Sequence, residues 1–206
     1  MYRIKEEMNY RKLTHKQRRI FDSYTTLDVP IVREASRCGC ALLGGTAVQM
    51  LARFYHVKER RSRSIDDLDF LTPASNREGI SAFKHKLITN GFEPIKMGES
   101  DYMLNYENKE VGVEVDVLIS WEPGIEEHFI KVNGILTVEP CYMFVSKLQR
   151  IFSGLSTKNE LDTQDINTLY DIIESRDEIE KLQDMIADEI PEVDEDELNA
   201  LLQETN

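Results

Sequence analysis

Leu42-Leu43-Gly44-Gly45-Thr46-Ala47 opens the stretch on which the reading of this chain turns, and Asp66-Asp67-Leu68-Asp69-Phe70 closes it. Cys40 to Leu43 predicts a short buried strand running into a Gly44-Gly45 turn. From Thr46 to Val57, apolar Ala47, Val48, Met50, Leu51, Phe54 and Tyr55 interleave with Gln49 and Arg53, as in an amphipathic helix. A glycine turn at a helix start lets backbone N–H groups and the helix dipole approach the β- and γ-phosphates of a nucleotide, and Thr46 adds a hydroxyl. Ile65 to Leu71 predicts a second strand, with Asp67 and Asp69 on one face and Leu68 and Phe70 on the other. Carboxylates about 7 Å apart along one strand face are hard oxygen donors suited to divalent cations.

A third carboxylate is expected from residues 111–119, where Val113, Val115 and Val117 alternate with Glu114 and Asp116. Asp116 is the choice, because it lies deeper in the apolar run Val115-Asp116-Val117-Leu118-Ile119, where a charge is costly without a metal or cation. Glu114 is the alternative. Asp67, Asp69 and Asp116 together could share two magnesium ions, roughly 3.5 to 4 Å apart in sites of this type. One ion would ease deprotonation of an acceptor hydroxyl; the other would hold a triphosphate and neutralise the leaving pyrophosphate.

Around this centre, Leu13, Ile20, Phe21 and Tyr24 predict a basic amphipathic helix over 10–25, and Pro30 a second helix start. Pro73-Ala74-Ser75-Asn76 leads into a helix with Ile80, Phe83 and Leu87 inward, ending at Asn90-Gly91. Strands are expected at 92–96, 101–107 and 111–119, and Asn133-Gly134 predicts a two-residue hairpin turn. Beyond Pro140 the pattern is helical, at about 141–153 and 162–175. An acidic segment follows, with Ile179, Leu182, Met185 and Ile186 at helical spacing and a break at Pro191. It reads either as a helix folded onto the body or as a partner-binding arm. The expected division is a core over 1–140 and a helical region over 141–206.

The 206 residues, 41% hydrophobic and 31% charged, are ordinary for a globular protein. No apolar run approaches the roughly 18 to 20 residues of a membrane span, and the N-terminus lacks a signal-type segment, so the expectation is a cytoplasmic protein without membrane contact. Cys38, Cys40 and Cys141 have no paired spacing and are expected to be packing residues. The net charge of −13 is uneven: residues 1–64 hold 14 Lys/Arg against 6 Asp/Glu, +8, leaving −21 for the rest. Basic clusters at Arg11-Lys12, Lys16, Arg18-Arg19 and Lys58, Arg60, Arg61, Arg63 suit nucleotide or RNA phosphates or, equally, solvated helix faces.

In this order, Leu42 to Ala47, Arg63 to Phe70 and the strand centred on Asp116 resemble the DNA polymerase β-type nucleotidyltransferase superfamily, and most of all the AbiEii-like toxins of type IV toxin–antitoxin and phage-abortive systems. The resemblance covers roughly residues 38–172. It implies an α+β fold, a mixed sheet flanked by helices followed by a helical C-terminal region. It also implies that Lys147 contacts the nucleotide triphosphate and that Asp165, in Asp162-Thr163-Gln164-Asp165, assists at the acceptor. Three positions depart from the pattern: the Gly45–Asp67 separation is long, Leu161 stands where an arginine is common, and Ile65 replaces a serine or threonine.

The implied activity is magnesium-dependent transfer of a nucleoside monophosphate from an NTP to a hydroxyl. A tRNA or other RNA is the acceptor the resemblance suggests, with a separate antitoxin as partner. The alternatives are transfer to a small molecule or protein, and a catalytically silent module that binds a nucleotide or partner.

Overall fold

The computed structural model describes residues 30–58, 60, 67–110, 112–155, 159–193, 196, 198, 200 and 202. The helix expected over 10–25, and Arg61, Arg63 and Asp66, lie outside them. Helix α1 (Pro30–Arg37) starts on its proline, and strand β1 (Ala41–Leu43) follows. Helix α2 (Gly44–Phe54) then begins on Gly44, two residues before the expected Thr46, because Gly44 at φ 71° makes the turn within the helix's own first residue.

Strand β2 (Asp67–Pro73) leads to α3 (Arg77–Thr89), whose start is fixed by Asn76: its side chain accepts the Gly79 N–H at 3.2 Å. Strands β3 (Glu93–Glu99), β4 (Met103–Asn108) and β5 (Val113–Ser120) form a meander. Strands β6 (Phe129–Val132) and β7 (Ile135–Val138) close a hairpin whose turn residues, Asn133 at φ 50° and Gly134 at φ 82°, supply the left-handed pair a two-residue turn needs. Helices α4 (Pro140–Phe152), α5 (Asn159–Ser175) and α6 (Ile179–Glu189) complete the described chain.

The seven strands form one mixed sheet in the order β3-β4-β5-β2-β1-β7-β6. Its centre decides where the acids lie. β2 runs parallel to β5, with Asp67 beside Glu114, Leu68 beside Val115, Asp69 beside Asp116 and Phe70 beside Val117. β1 runs antiparallel to β2, with Leu43 beside Asp69 and Leu42 beside Phe70. Paired residues share a face, so Leu42, Leu68, Phe70, Val115 and Val117 form an apolar back, and all are buried. Phe70 meets Phe83 of α3 edge to face at 5.3 Å, and its truncation to Ala would cost about 3–5 kcal/mol.

Helix α1 packs on α3, β1 and β7; α2 packs on β1, β2 and α5; α4 packs on α5 and α6. Phe144, Leu148, Ile166, Leu169, Leu182 and Ile186 continue the sheet's hydrophobic core into these last helices. The first part of the acidic segment is therefore folded onto the body, through Leu182 and Ile186.

Candidate active site

On the front of the sheet, Asp67, Asp69 and Asp116 are half-buried and Glu114 is exposed, while their in-line neighbours Leu68, Phe70, Val115 and Val117 are buried behind them. The strand period alone produces this contrast: alternate residues anchor the strands in the core and present carboxylates to solvent. Asp69 and Asp116 are direct neighbours across a parallel ladder, and Asp67 and Glu114 form the next pair.

Asp69 also lies against the start of α2. A Cβ placed on Gly44 would overlap Oδ2 of Asp69 and come within 3.0 Å of its Cγ. Gly44 is thus required twice, by its positive φ and by the carboxylate pressed against it. A carboxylate at a helix N-terminus is also favoured by the helix dipole. The N-cap, Leu43, has no polar side chain to cap the first turn, and the group at that helix start is the Asp69 carboxylate.

Two further groups hold this corner. The buried Thr46 hydroxyl donates to the Asp67 carbonyl at 3.2 Å, tying α2 to β2 rather than pointing into solvent. The Asn105 amide, opposite Asp116 on β4, donates to Asp116 Oδ1 at 2.5 Å. Asn105 escaped the sequence reading because its role depends on the β4–β5 register; only its outward place in the alternation of Leu104 and Tyr106 hinted at it.

Lys147 and Asp165 come together, but in a buried cluster between α4 and α5. Lys147 Nζ lies 2.9 Å from Asp162 Oδ1 and 3.0 Å from Asp165 Oδ2, and Arg150 Nη2 is 3.5 Å from Asp162 Oδ2. Lys147 is 7% exposed, Asp162 5% and Asp165 1%, so the lysine's charge is held by its two aspartates. Since α5 packs on α2, the cluster supports the helix that begins at Gly44.

Cys40 and Cys141 are buried packing residues, as expected. Burial pushes the Cys40 thiol up to about 12 and the Cys141 thiol up to about 11. Burial, and the carboxylate of Glu122 after it, raises Tyr142 to about 12; its hydroxyl donates to Glu122 Oε2 at 3.0 Å.

The carboxylates supply the donor chemistry a divalent cation takes, hard oxygens from three positions on one face, and to that extent they fit. Among the described residues, no three His, Cys, Asp or Glu side chains yet converge as a finished metal cage. Asp69 is turned to Gly44 and Asp116 to Asn105.

The mixed sheet flanked by helices is a fold shared with solved structures, among them ones assigned as nucleotidyltransferases. The chain superimposes on a Helicobacter pylori protein assigned to the nucleotidyltransferases with a TM-score of 0.52, at 19% identity over 93% of this chain and 95% of that one. JHP933 from Helicobacter pylori gives 0.52 at 18% identity, over 86% of this chain and 79% of that one. The Megavirus polyadenylate synthase gives 0.52 at 13% identity, over 81% of this chain and 33% of that one. No family model matches the chain, and none of the curated proteins does.

Proposed function

We propose that the protein transfers a nucleoside monophosphate from an NTP to a hydroxyl acceptor, releasing pyrophosphate. The observation that carries this reading is the register of β2 on β5, which sets Asp69 beside Asp116 on the open face while Asp69 also touches the first residue of α2. The acceptor oxygen forms a bond to the α-phosphorus, the bond to the bridging oxygen breaks, and the hydroxyl proton is released. Asp67, Asp69 and Asp116 would hold magnesium, which when bound lowers the acceptor's pKa and neutralises the pyrophosphate charge. The Gly44 and Gly45 N–H groups receive the phosphates, Asn105 orients Asp116, and Thr46 fixes β2 against α2.

The roles the resemblance suggests, Lys147 on the triphosphate and Asp165 at the acceptor, require their buried pair to open; closed, it fastens α4 to α5. An RNA acceptor such as tRNA is supported by the resemblance and by the basic residues Lys58, Arg61 and Arg63 of the sequence, while Arg60 is held by Asp171 at 3.0 Å. The role of toxin or phage-defence effector, with an antitoxin, rests on the resemblance to AbiEii-like proteins. A small-molecule or protein acceptor is favoured by one specific observation. Glu114, Glu107 and Glu93 occupy successive paired positions from β5 to β3 beside the site, and with Lys109 on Glu107 at 3.0 Å the row stays net negative, which disfavours a polyanion.

Metal dependence tests the proposal. Transfer of label from an α-labelled NTP should stop in EDTA and return with added Mg²⁺; transfer that persists in EDTA would refute it.

A further inference from the structure

Two aromatic rings stand in solvent at the end of the β4–β5 hairpin away from its turn. Tyr102 precedes β4 and Trp121 follows β5; their ring centroids lie 6.4 Å apart, and they are 67% and 61% exposed. A single exposed apolar residue is ordinary, but neighbouring rings left uncovered mark a surface that a partner can use.

Hydrogen bonds hold the backbone beneath both rings. Ser100 Oγ accepts the Tyr102 and Met103 N–H groups at 3.2 and 3.1 Å, and the Ser100 N–H donates to Met103 O at 2.8 Å. Tyr102 O accepts the Ile119 N–H at 2.8 Å, which ties the two ends of the hairpin together. The Trp121 indole N–H donates to Asp101 O at 3.2 Å. With its one donor satisfied inside the chain, the indole offers a partner only its faces and edges. The corner is held in place beforehand, so binding there orders little.

The charges around the rings point to the partner. Aromatic faces carry the negative side of a quadrupole, and the residues next to these rings in the chain, Asp101 and Glu122, are exposed carboxylates. Glu122 accepts the Tyr142 hydroxyl at 3.0 Å, a neutral donor that leaves its charge in place. Between residues 97 and 130 the one Lys or Arg is Lys109, which sits at the opposite end of the hairpin on Glu107 at 3.0 Å. A nucleic-acid backbone would meet these carboxylates with no cation from the hairpin to offset them. A guanidinium group can lie flat on a ring and pair with a carboxylate at once.

We infer that Tyr102 and Trp121 form a docking surface for an arginine-bearing segment of a protein partner, whose guanidinium groups stack on the rings and pair with Asp101 and Glu122. The surface is separate from the candidate active site. Trp121 follows Asp116 by five residues, roughly 16 Å along the strand direction and away from Glu114.

Trp121 is the chain's one tryptophan, so tryptophan emission reads this corner alone. The full chain is titrated at low salt, without NTP or metal, with an arginine–glycine repeat peptide and with lysine–glycine and glutamine–glycine repeats of equal length. The same titrations use Tyr102→Leu, Tyr102→Phe, Glu122→Gln and Glu110→Gln, the last removing an equal charge at the exposed turn of the same hairpin. An unstructured ribo-oligomer is titrated separately.

The arginine peptide should change the emission saturably and bind more tightly than the lysine peptide, and the glutamine peptide should leave the emission unchanged. Tyr102→Leu and Glu122→Gln should each weaken binding about twofold to fivefold, with Tyr102→Phe and Glu110→Gln close to wild type. No saturable change with the arginine peptide, equal affinity for the lysine peptide, wild-type binding by Tyr102→Leu, or equal weakening by Glu110→Gln overturns the inference. A response to the ribo-oligomer and not to the peptide also overturns it, by assigning the surface to nucleic acid. The readout involves no transfer, so its outcome is independent of the nucleotidyl-transfer reading.

Discussion

Replacing Gly44 by alanine tests the geometry of the site at its tightest point. Gly44 sits at φ 71°, where a residue with a Cβ costs about 1–3 kcal/mol. The added methyl would also overlap Asp69 Oδ2, which has to withdraw by about 1.3 Å or more to regain ordinary contact distance. Gly154 provides the control: it has a similar φ of 68°, but a Cβ there meets nothing within 4 Å. Gly154→Ala should therefore show the backbone cost alone.

At about 2–4 °C per kcal/mol for a chain of this size, Gly154→Ala should lower the melting temperature by several degrees. Gly44→Ala should lose at least as much, and in addition should lose nucleotidyl transfer by about a hundredfold or more, because a 1 Å displacement of a catalytic group costs on that order. Thermal unfolding by circular dichroism and a labelled-nucleotide assay on both variants read the two effects separately. If Gly44→Ala matches Gly154→Ala in stability and keeps wild-type transfer, then Asp69 and Gly44 are not arranged as argued.

Lys147→Met leaves Asp162 and Asp165 buried without their shared cation, so urea unfolding should show a loss of about 3–5 kcal/mol; the double variant Lys147→Met/Asp165→Asn should recover part of it. Asn105→Ala removes the amide on Asp116 and should slow transfer about tenfold to a hundredfold with little change in melting temperature, since Asn105 is only half-buried. The Cys40 thiol, raised from 9.0 to about 12, is protonated in the fold where the unfolded chain has begun to ionise. Its contribution to stability is therefore complete below about pH 9 and falls as the pH climbs towards 12, and native protein should leave Cys40 unreactive to a thiol reagent at pH 8 that labels it once unfolded.

What the sequence disclosed follows from what periodicity encodes. Leu68 and Phe70 behind Asp67 and Asp69, and Val115 and Val117 behind Asp116, fixed both the strands and the face of each acid, because the period of two is written residue by residue. Asn76, Asn90-Gly91 and Asn133-Gly134 marked ends and turns for the same local reason, and Pro30 and Pro140 opened helices. Pairings between distant segments were not legible. Nothing in residues 103–108 says that Asn105 will stand opposite Asp116, and nothing in residues 44–47 says that the Thr46 hydroxyl will donate to the Asp67 carbonyl. The pairing of Tyr102 with Trp121 joins the two ends of the β4–β5 hairpin, which no local pattern can report. Lys147 and Asp165 came only from the resemblance; their buried ion pair is a property of how α4 meets α5.

The most direct measurement of the central claim incubates the protein with each of the four α-labelled NTPs, Mg²⁺ and, in turn, total RNA, total cell protein and a small-molecule extract, alongside Asp67→Ala/Asp69→Ala. The account predicts label transferred to an acceptor by wild type and not by the variant, with the acceptor band naming RNA, protein or small molecule as its class. Equal labelling by both proteins, or none with any NTP and any of the three acceptor classes, would contradict it.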